Sequence, residues 1–197
     1  MKKVLSILAA SLCVSFSAQA SMTTGNNNNH SFASAQSLGA FFSTEFNAEI
    51  ESSTLLPHAS VQGAGHNTLD FYSFSIGKAN SSAIFDIDHA MPTLDAYLTL
   101  YGANGSVLAT NDDGGRLDAG SVHGYDSFIS YTFANAGDYV IGVGRCCAMQ
   151  PIAEGQGYTL NVSAASAVSA VPEPGSYAML LAGLGLLGFI ARRGRKG

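Results

Sequence analysis

The sequence has no tryptophan, three cysteines and few basic residues. Of its 197 residues nine are lysine or arginine, and six of these nine lie at the two ends of the chain. Residues 21–171 therefore carry three basic and thirteen acidic side chains, a net charge of −10. Nucleic acid and anionic lipid bind to clustered basic residues, so this composition excludes both as ligands of the central region.

Cysteine is too scarce to form a disulfide framework. The central region holds two adjacent cysteines, Cys146 and Cys147. Adjacent cysteines form either a pair of thiols or a vicinal disulfide, and a zinc site needs C-x₂-C spacing with further ligands. We expect no metal-binding or catalytic role for this pair, so a hydrophobic core must stabilise the fold.

Motifs of catalysis are also missing. The five histidines show no H-E-x-x-H spacing, and no G-x-S-x-G sequence is present. The sequence therefore predicts a protein without enzymatic activity. A glycan-active enzyme is the weaker alternative, because a pair of carboxylates can hydrolyse glycosidic bonds.

What the central region does contain is short runs of β-type residues separated by turn signals. An Asn-Gly turn at Asn104-Gly105 predicts a hairpin, and no helical apolar period is sustained there. The pattern predicts one all-β domain, an antiparallel β-sandwich. The predicted strands are Leu69–Ile76, Ala83–Asp88, Ala96–Tyr101, Val107–Asn111, Phe128–Phe133, Asp138–Gly144 and Tyr158–Val162.

The N-terminus has the three parts of a secretory signal peptide. Met1–Lys3 is basic, Val4–Phe16 is apolar and Ala18–Ala20 is an A-x-A cleavage site. Residues 1–20 are therefore predicted to be removed between Ala20 and Ser21. Residues 21–30 are polar and rich in asparagine, so we predict a disordered lead.

The C-terminus combines a proline-containing motif, a short apolar run and a basic end. Pro172 and Pro174 keep the sequence Val171-Pro172-Glu173-Pro174 extended. The fourteen apolar residues of 178–191 are few for a membrane span, which needs about 20. The basic residues that follow would stay in the cytoplasm: Arg192, Arg193, Arg195 and Lys196. The residues alone allow either a short anchor or a removable sorting signal.

This tail resembles the PEP-CTERM sorting signal of Gram-negative bacteria over Val171–Lys196. The resemblance implies that an exosortase-type membrane protease recognises the Pro-Glu-Pro motif within the linker of residues 166–176. It also implies transient membrane insertion through the hydrophobic helix of residues 177–197. The expected destination is the cell surface or the extracellular polysaccharide matrix.

Residues 28–162 resemble the bacterial pre-peptidase C-terminal (PPC) domain. The motifs that carry the resemblance include Asp70-Phe71-Tyr72-Ser73-Phe74, the run Leu94–Tyr101 and Asn111-Asp112-Asp113. The family implies a jelly-roll-like β-sandwich, here over residues 31–165, that binds or tethers and often carries calcium. His30 stands where the family usually has aspartate, so an N-terminal calcium ligand is not expected.

Aspartates cluster near the ends of the predicted strands. Carboxylate oxygens from several loops could hold Ca²⁺, which takes 6–8 oxygen ligands. Alternatively, aspartates in loops cap turns and need no metal. The candidate ligands of a calcium ion are Asp88, Asp95, Asp112, Asp113 and Asp126.

Together these features predict an exported, non-enzymatic protein of the cell surface or exopolysaccharide matrix. A calcium-dependent module that binds carbohydrate or protein is the alternative. Aromatic residues clustered on one exposed face would favour that alternative, because aromatic rings stack on sugars.

Overall fold

The computed structural model describes residues 22–115, 117–167 and 183–184. The predicted signal peptide, the Pro-Glu-Pro motif and the basic end lie outside the described residues. Of the predicted hydrophobic helix, residues 183 and 184 are described and both are helical. Within the described parts of the chain, no helix has the length and apolar character needed to cross a membrane.

The described residues include ten strands, and one short 3₁₀ turn, Phe32–Ser34, separates the first two. Seven of the strands correspond to the seven predicted ones. The bounds are β1 Met22–Thr24, β2 Gln36–Ser37, β3 His58–Ala64, β4 Asp70–Ile76, β5 Ser81–Asp88, β6 Ala96–Gly102, β7 Val107–Asn111, β8 Phe128–Phe133, β9 Gly137–Arg145 and β10 Gly157–Ala164.

The strands form two five-stranded sheets. The first sheet has the order β1-β3-β10-β5-β8 and the second has the order β2-β4-β9-β6-β7. All pairings are antiparallel except β1 with β3 and β2 with β4, which are parallel. The predicted all-β sandwich is confirmed, and the two parallel edge pairings were not predicted.

Strand β3 was missed because its sequence has little β-propensity. Its seven residues, HASVQGA, include a single β-branched residue, Val61. Strand β3 forms because its backbone pairs with β10 along its whole length, from His58 opposite Ser163 to Ala64 opposite Gly157. Tertiary pairing here overrides the weak local preference.

The prediction of a disordered lead does not hold for residues 22–30. Met22–Thr24 pair with β3, and the Gly25 amide donates to the Gln62 carbonyl at 2.8 Å. Asn29 is buried. The asparagine-rich residues that follow β1 are held by hydrogen bonds to distant parts of the chain: the Asn26 amide donates to Gln36 Oε1 at 2.7 Å, and the Phe71 amide donates to the Asn29 carbonyl at 2.9 Å.

The core lies between the two sheets. Tyr72, Phe74 and Ile76 were predicted to share one face of β4, and all three are buried in this core. From the other sheet, Phe85 and Ile87 meet them. The Asn-Gly hairpin is confirmed as well: it joins β6 to β7, and Gly105 has a φ of +78°, which glycine adopts without strain.

The sandwich has two distinct ends. At the end we call the tail end, β8 ends at Phe133 and β10 ends at Ala164, opposite the start of β5. The hairpin of β6 and β7 lies at the same end, since Gly102 pairs with Tyr139 near the start of β9. The opposite end, where β5 ends and β6 begins, is the acidic end.

Candidate metal site at the acidic end

Three of the five candidate calcium ligands meet at the acidic end. Asp95 directly precedes β6, and Asp112 and Asp113 directly follow β7. Because β6 and β7 are antiparallel, with Leu98 opposite Asn111, the start of one strand adjoins the end of the other. One carboxylate oxygen from each of the three aspartates lies within 4.8 Å of the others. We call Asp95, Asp112 and Asp113 the acidic cluster.

The loops that carry the acidic cluster are held in place by Ser127. Its buried hydroxyl lies 2.7 Å from the carbonyl oxygens of Ala96 and Asp112 and 3.2 Å from that of Asn111. The amide of Phe128 donates to Asn111 Oδ1 at 2.9 Å. The start of β8 therefore fixes the positions of both β6 and β7 at this end.

Burial and electrostatic repulsion disfavour the ionised forms of Asp95 and Asp112. Burial raises the pKa of Asp95, and the nearby Asp112 and Asp113 raise it further. Burial and the adjacent Asp113 also raise the pKa of Asp112. A bound cation would reverse both effects, since an opposite charge stabilises a carboxylate.

The donor set of the acidic cluster fits calcium. The Oδ1 atoms of Asp95 and Asp112 are buried, and neither has a hydrogen-bond partner among the described residues. Ca²⁺ binds oxygens at about 2.3–2.6 Å, so two oxygens on one ion are at most about 5 Å apart. The three carboxylate oxygens lie within 4.8 Å of one another, close enough to contact a single ion.

The two adjacent cysteines form a vicinal disulfide beside the cluster. The Cys146 amide donates to the Asp95 carbonyl at 2.7 Å, and both sulfurs lie within 4.8 Å of an Asp112 oxygen. The sequence left open whether the pair is oxidised, and the structure has the disulfide. Disulfide sulfurs are not thiolates, so they do not supply the ligands of a zinc site.

Asp126 does not join the acidic cluster, contrary to the prediction. Its Oδ2 atom accepts hydrogen bonds from the amides of Val122 and His123, at 2.7 and 3.3 Å. Its Oδ1 atom lies 3.3 Å from Nδ1 of His123. Asp126 therefore caps a turn, which is the alternative to metal binding that the sequence allowed.

Asp88 was also predicted to join the same site, and it does not. It ends β5 in the other sheet, is fully buried and accepts a hydrogen bond from Asn161 Nδ2 at 2.6 Å. The Asp88 carboxylate instead lies close to the carboxylates of Asp86 and Asp118. Burial, with smaller contributions from Asp118 and Glu49, raises the pKa of Asp88 to about 7.

Sequence reasoning missed a buried polar network near the acidic end. Tyr158 donates to Asp70 Oδ2 at 2.6 Å, and the hydroxyl of Tyr72 lies 2.8 Å from that of Tyr158. Burial raises the pKa of Asp70. A signal was present, because Asp70 has the same alternation in β4 as the core residues Tyr72 and Phe74.

Two stretches of the chain match known protein families. Residues 68–145 match the bacterial pre-peptidase C-terminal domain, which is a shorter stretch than the predicted resemblance. Residues 170–196 match the PEP-CTERM protein-sorting motif. Both predicted resemblances are thus confirmed: residues 68–145 are similar to the PPC domain, and a PEP-CTERM sorting motif follows them.

Similar solved structures share 14% identity with this chain. The periplasmic inhibitor of g-type lysozyme PliG from Aeromonas hydrophila aligns over 73% of this chain and 96% of its own, with a TM-score of 0.40. The pre-peptidase C-terminal domain of Bacillus anthracis collagenase aligns over 54% and 88%, with a TM-score of 0.36. No curated protein matches the chain. The fold assignment therefore rests on the strands described above.

Proposed function

We propose that this protein is a non-enzymatic component of the cell surface or the extracellular polysaccharide matrix. The observation that carries the proposal is the PEP-CTERM match at residues 170–196, which follows the β-sandwich in the sequence. A PEP-CTERM motif implies export, membrane anchoring before exosortase cleavage and a surface location. The PPC domain and the sorting motif are both non-catalytic modules, which supports a structural or binding role.

Within this role we propose that the acidic cluster binds calcium. Asp95, Asp112 and Asp113 would supply carboxylate ligands, with backbone carbonyls and water completing the shell. The buried, unpartnered oxygens of Asp95 and Asp112 support the proposal, as does the net charge of −10 in residues 21–171. A cation would relieve the repulsion among the carboxylates and so stabilise the folded domain.

Thermal unfolding of the exported protein tests the calcium proposal. A ligand bound only by the folded state adds about 2.7 kcal/mol at a hundred times its Kd. Millimolar calcium should therefore raise the Tm by several degrees, and magnesium should do less, because it gives up its water reluctantly. The double variant Asp112→Ala with Asp113→Ala should lose most of this increase, and Asp95→Ala should reduce it.

Asp138→Ala is the matched control. Asp138 is exposed at the tail end and accepts a hydrogen bond from Ser75 at 2.6 Å, far from the cluster. This variant should keep the full response to calcium. Equal Tm values in calcium, magnesium and chelator would contradict the proposal and leave the three aspartates as capping residues.

A further inference from the structure

A slot with aromatic walls opens between the edges of the two sheets at the tail end. It lies between the β6–β7 hairpin and the turn from β8 to β9 and has a volume of about 310 Å³. The residues that line it include Tyr131, Phe133, Tyr139 and Leu108. This volume is at the lower end of the roughly 300–1,000 Å³ of small-molecule sites.

The aromatic rings of the slot pack against one another at an angle, 68° for Tyr131 with Phe133 and 51° for Phe133 with Tyr139. The buried Phe133 ring lies 4.3 Å from the ring of Tyr139 and 5.0 Å from that of Tyr131. The Tyr139 hydroxyl donates to the Asn135 carbonyl at 2.8 Å, which restrains that ring. Tyr131 and Tyr139 remain partly exposed, so they present aromatic surface to a ligand.

Two asparagines, Asn104 and Asn135, are also among the residues that line the slot. Asn104 Oδ1 accepts hydrogen bonds from the amide and the hydroxyl of Ser106, at 3.1 and 2.7 Å. These bonds orient the side chain and leave its Nδ2 group, with two N–H donors, without a partner among the described residues. The side-chain amide of Asn135 adds a second donor and acceptor pair.

Charge is absent from the slot although it is abundant elsewhere. No described residue that lines the slot is charged, while residues 21–171 carry thirteen acidic side chains. An anionic ligand would find no counter-charge here and would be repelled by the domain as a whole. The slot therefore selects for a neutral ligand with both apolar and hydrogen-bonding surfaces.

We propose that this slot binds a neutral saccharide unit. A pyranose ring has an apolar C–H face, which stacks on a tyrosine ring, and an edge of hydroxyl groups, which pair with side-chain amides. The slot is separate from the acidic cluster, because the two lie at opposite ends of β6, whose seven residues span about 20 Å. Saccharide binding at the slot is thus independent of calcium.

Isothermal titration calorimetry on the exported protein tests this proposal. The probes are cellohexaose and mannohexaose as neutral ligands and hexagalacturonate as an anionic comparator, each up to about 10 mM. At least one neutral hexasaccharide should bind with a millimolar or lower Kd, and hexagalacturonate should not. Excess EDTA should leave the binding unchanged.

Two variants probe the slot by different routes. Tyr131→Ala removes a stacking ring, and Asn104→Asp keeps the acceptor that caps the turn but removes the two N–H donors. Each should raise the Kd at least about tenfold. Because Asn104 is exposed, Asn104→Asp should fold even if Tyr131→Ala does not. Tyr97→Ala, a partly exposed tyrosine at the other end of β6, is the matched control and should bind like the unmodified protein.

Several results would overturn the proposal. The first is no binding of either neutral hexasaccharide, and the second is equal binding of hexagalacturonate. Unchanged affinity in both slot variants would place the ligand elsewhere on the protein. Loss of binding in EDTA would make saccharide recognition depend on a metal ion, and would also refute the assignment to the slot.

Discussion

Individual aspartates of this domain take different roles according to what surrounds them. Asp112 has a buried oxygen with no partner among the described residues, whereas Asp126 uses one oxygen to accept two backbone hydrogen bonds. Asp88 is fully buried against an asparagine. The same residue type therefore supplies a candidate metal ligand, a turn cap and a titratable core group.

Asp88 should make stability depend on pH. Its pKa in the folded protein is about 7, and an aspartate in the unfolded chain titrates near 3.9. The folded state thus favours the protonated form of Asp88. The stabilisation of the folded protein by this protonation is complete below about pH 4 and is lost as the pH rises to about 7. Asp88→Asn should remove this loss and raise the Tm above pH 7 by about 5 °C or more.

Thermal melts from pH 5 to 8 in chelator check the effect. Asp138→Asn, at an exposed position, should keep the pH dependence of the unmodified protein. If Asp88→Asn shows that same pH dependence, Asp88 does not titrate in this range.

Ser127 should support both the fold and the calcium response. Its hydroxyl is buried and lies near three backbone carbonyls, so Ser127→Ala leaves carbonyls without a donor. The expected loss is about 1–3 kcal/mol in the free energy of unfolding, with a smaller rise in Tm on adding calcium. Ser130→Ala, at an exposed position of the same strand, should be nearly neutral. A calcium response unchanged by Ser127→Ala would mean that Ser127 does not position the cluster.

At the scale of elements, packing between β3 and β10 determines which residue can occupy position 63 of β3. A Cβ atom at Gly63 would come within 2.1 Å of the Tyr158 ring. Glycine is required here because residue 63 lies directly opposite Tyr158 on β10, and the tyrosine ring occupies the space that a side chain would need. The close approach lets Tyr158 reach Asp70 and Tyr72 in the core.

Gly63→Ala should therefore be strongly destabilising. The added methyl group must displace Tyr158, and overpacking of this kind costs about 1–3 kcal/mol. Urea unfolding followed by circular dichroism measures the loss. Gly157→Ala on β10 is the comparison, because its Cβ would meet a backbone atom at an ordinary 3.7 Å. Equal stability of the two variants would show that Tyr158 moves aside without cost.

At the scale of the whole molecule, the features of the domain are divided between its two ends. The acidic cluster lies at one end, and the aromatic slot lies at the other. The described chain also leaves from the tail end, where Ala167 bridges to Ile76, and Val171 of the sorting motif follows four residues later in the sequence.

The sorting motif predicts the fate of the whole chain. In its native host the mature protein should lack residues 178–197, and substituting Glu173 or Pro174 with alanine should leave a precursor in the inner membrane. Mass spectrometry of secreted and membrane fractions distinguishes the two forms. Glu154→Ala, an exposed acidic residue of the domain, should be processed normally. Intact, tail-bearing protein as the final form would contradict this expectation.

The sequence by itself determined the features that depend on local patterns. Alternation in β4 placed Tyr72, Phe74 and Ile76 on the core face, and Asn104-Gly105 predicted the hairpin, because side-chain direction and turn geometry follow from a few neighbouring residues. The sorting motif was likewise readable, since its three parts are contiguous. Local rules did not reveal β3, whose pairing with β10 joins residues about a hundred positions apart.

Only the tertiary structure decided which aspartates meet. Sequence analysis grouped Asp88 and Asp126 with Asp95, Asp112 and Asp113, because all five lie near strand ends. The register of β6 with β7 brings three of them together, while sheet order places Asp88 in the other sheet and a local turn occupies Asp126. The slot has the same origin, since strands and turns of both sheets form it. Distances between separate strands are set by packing, which a linear pattern does not encode.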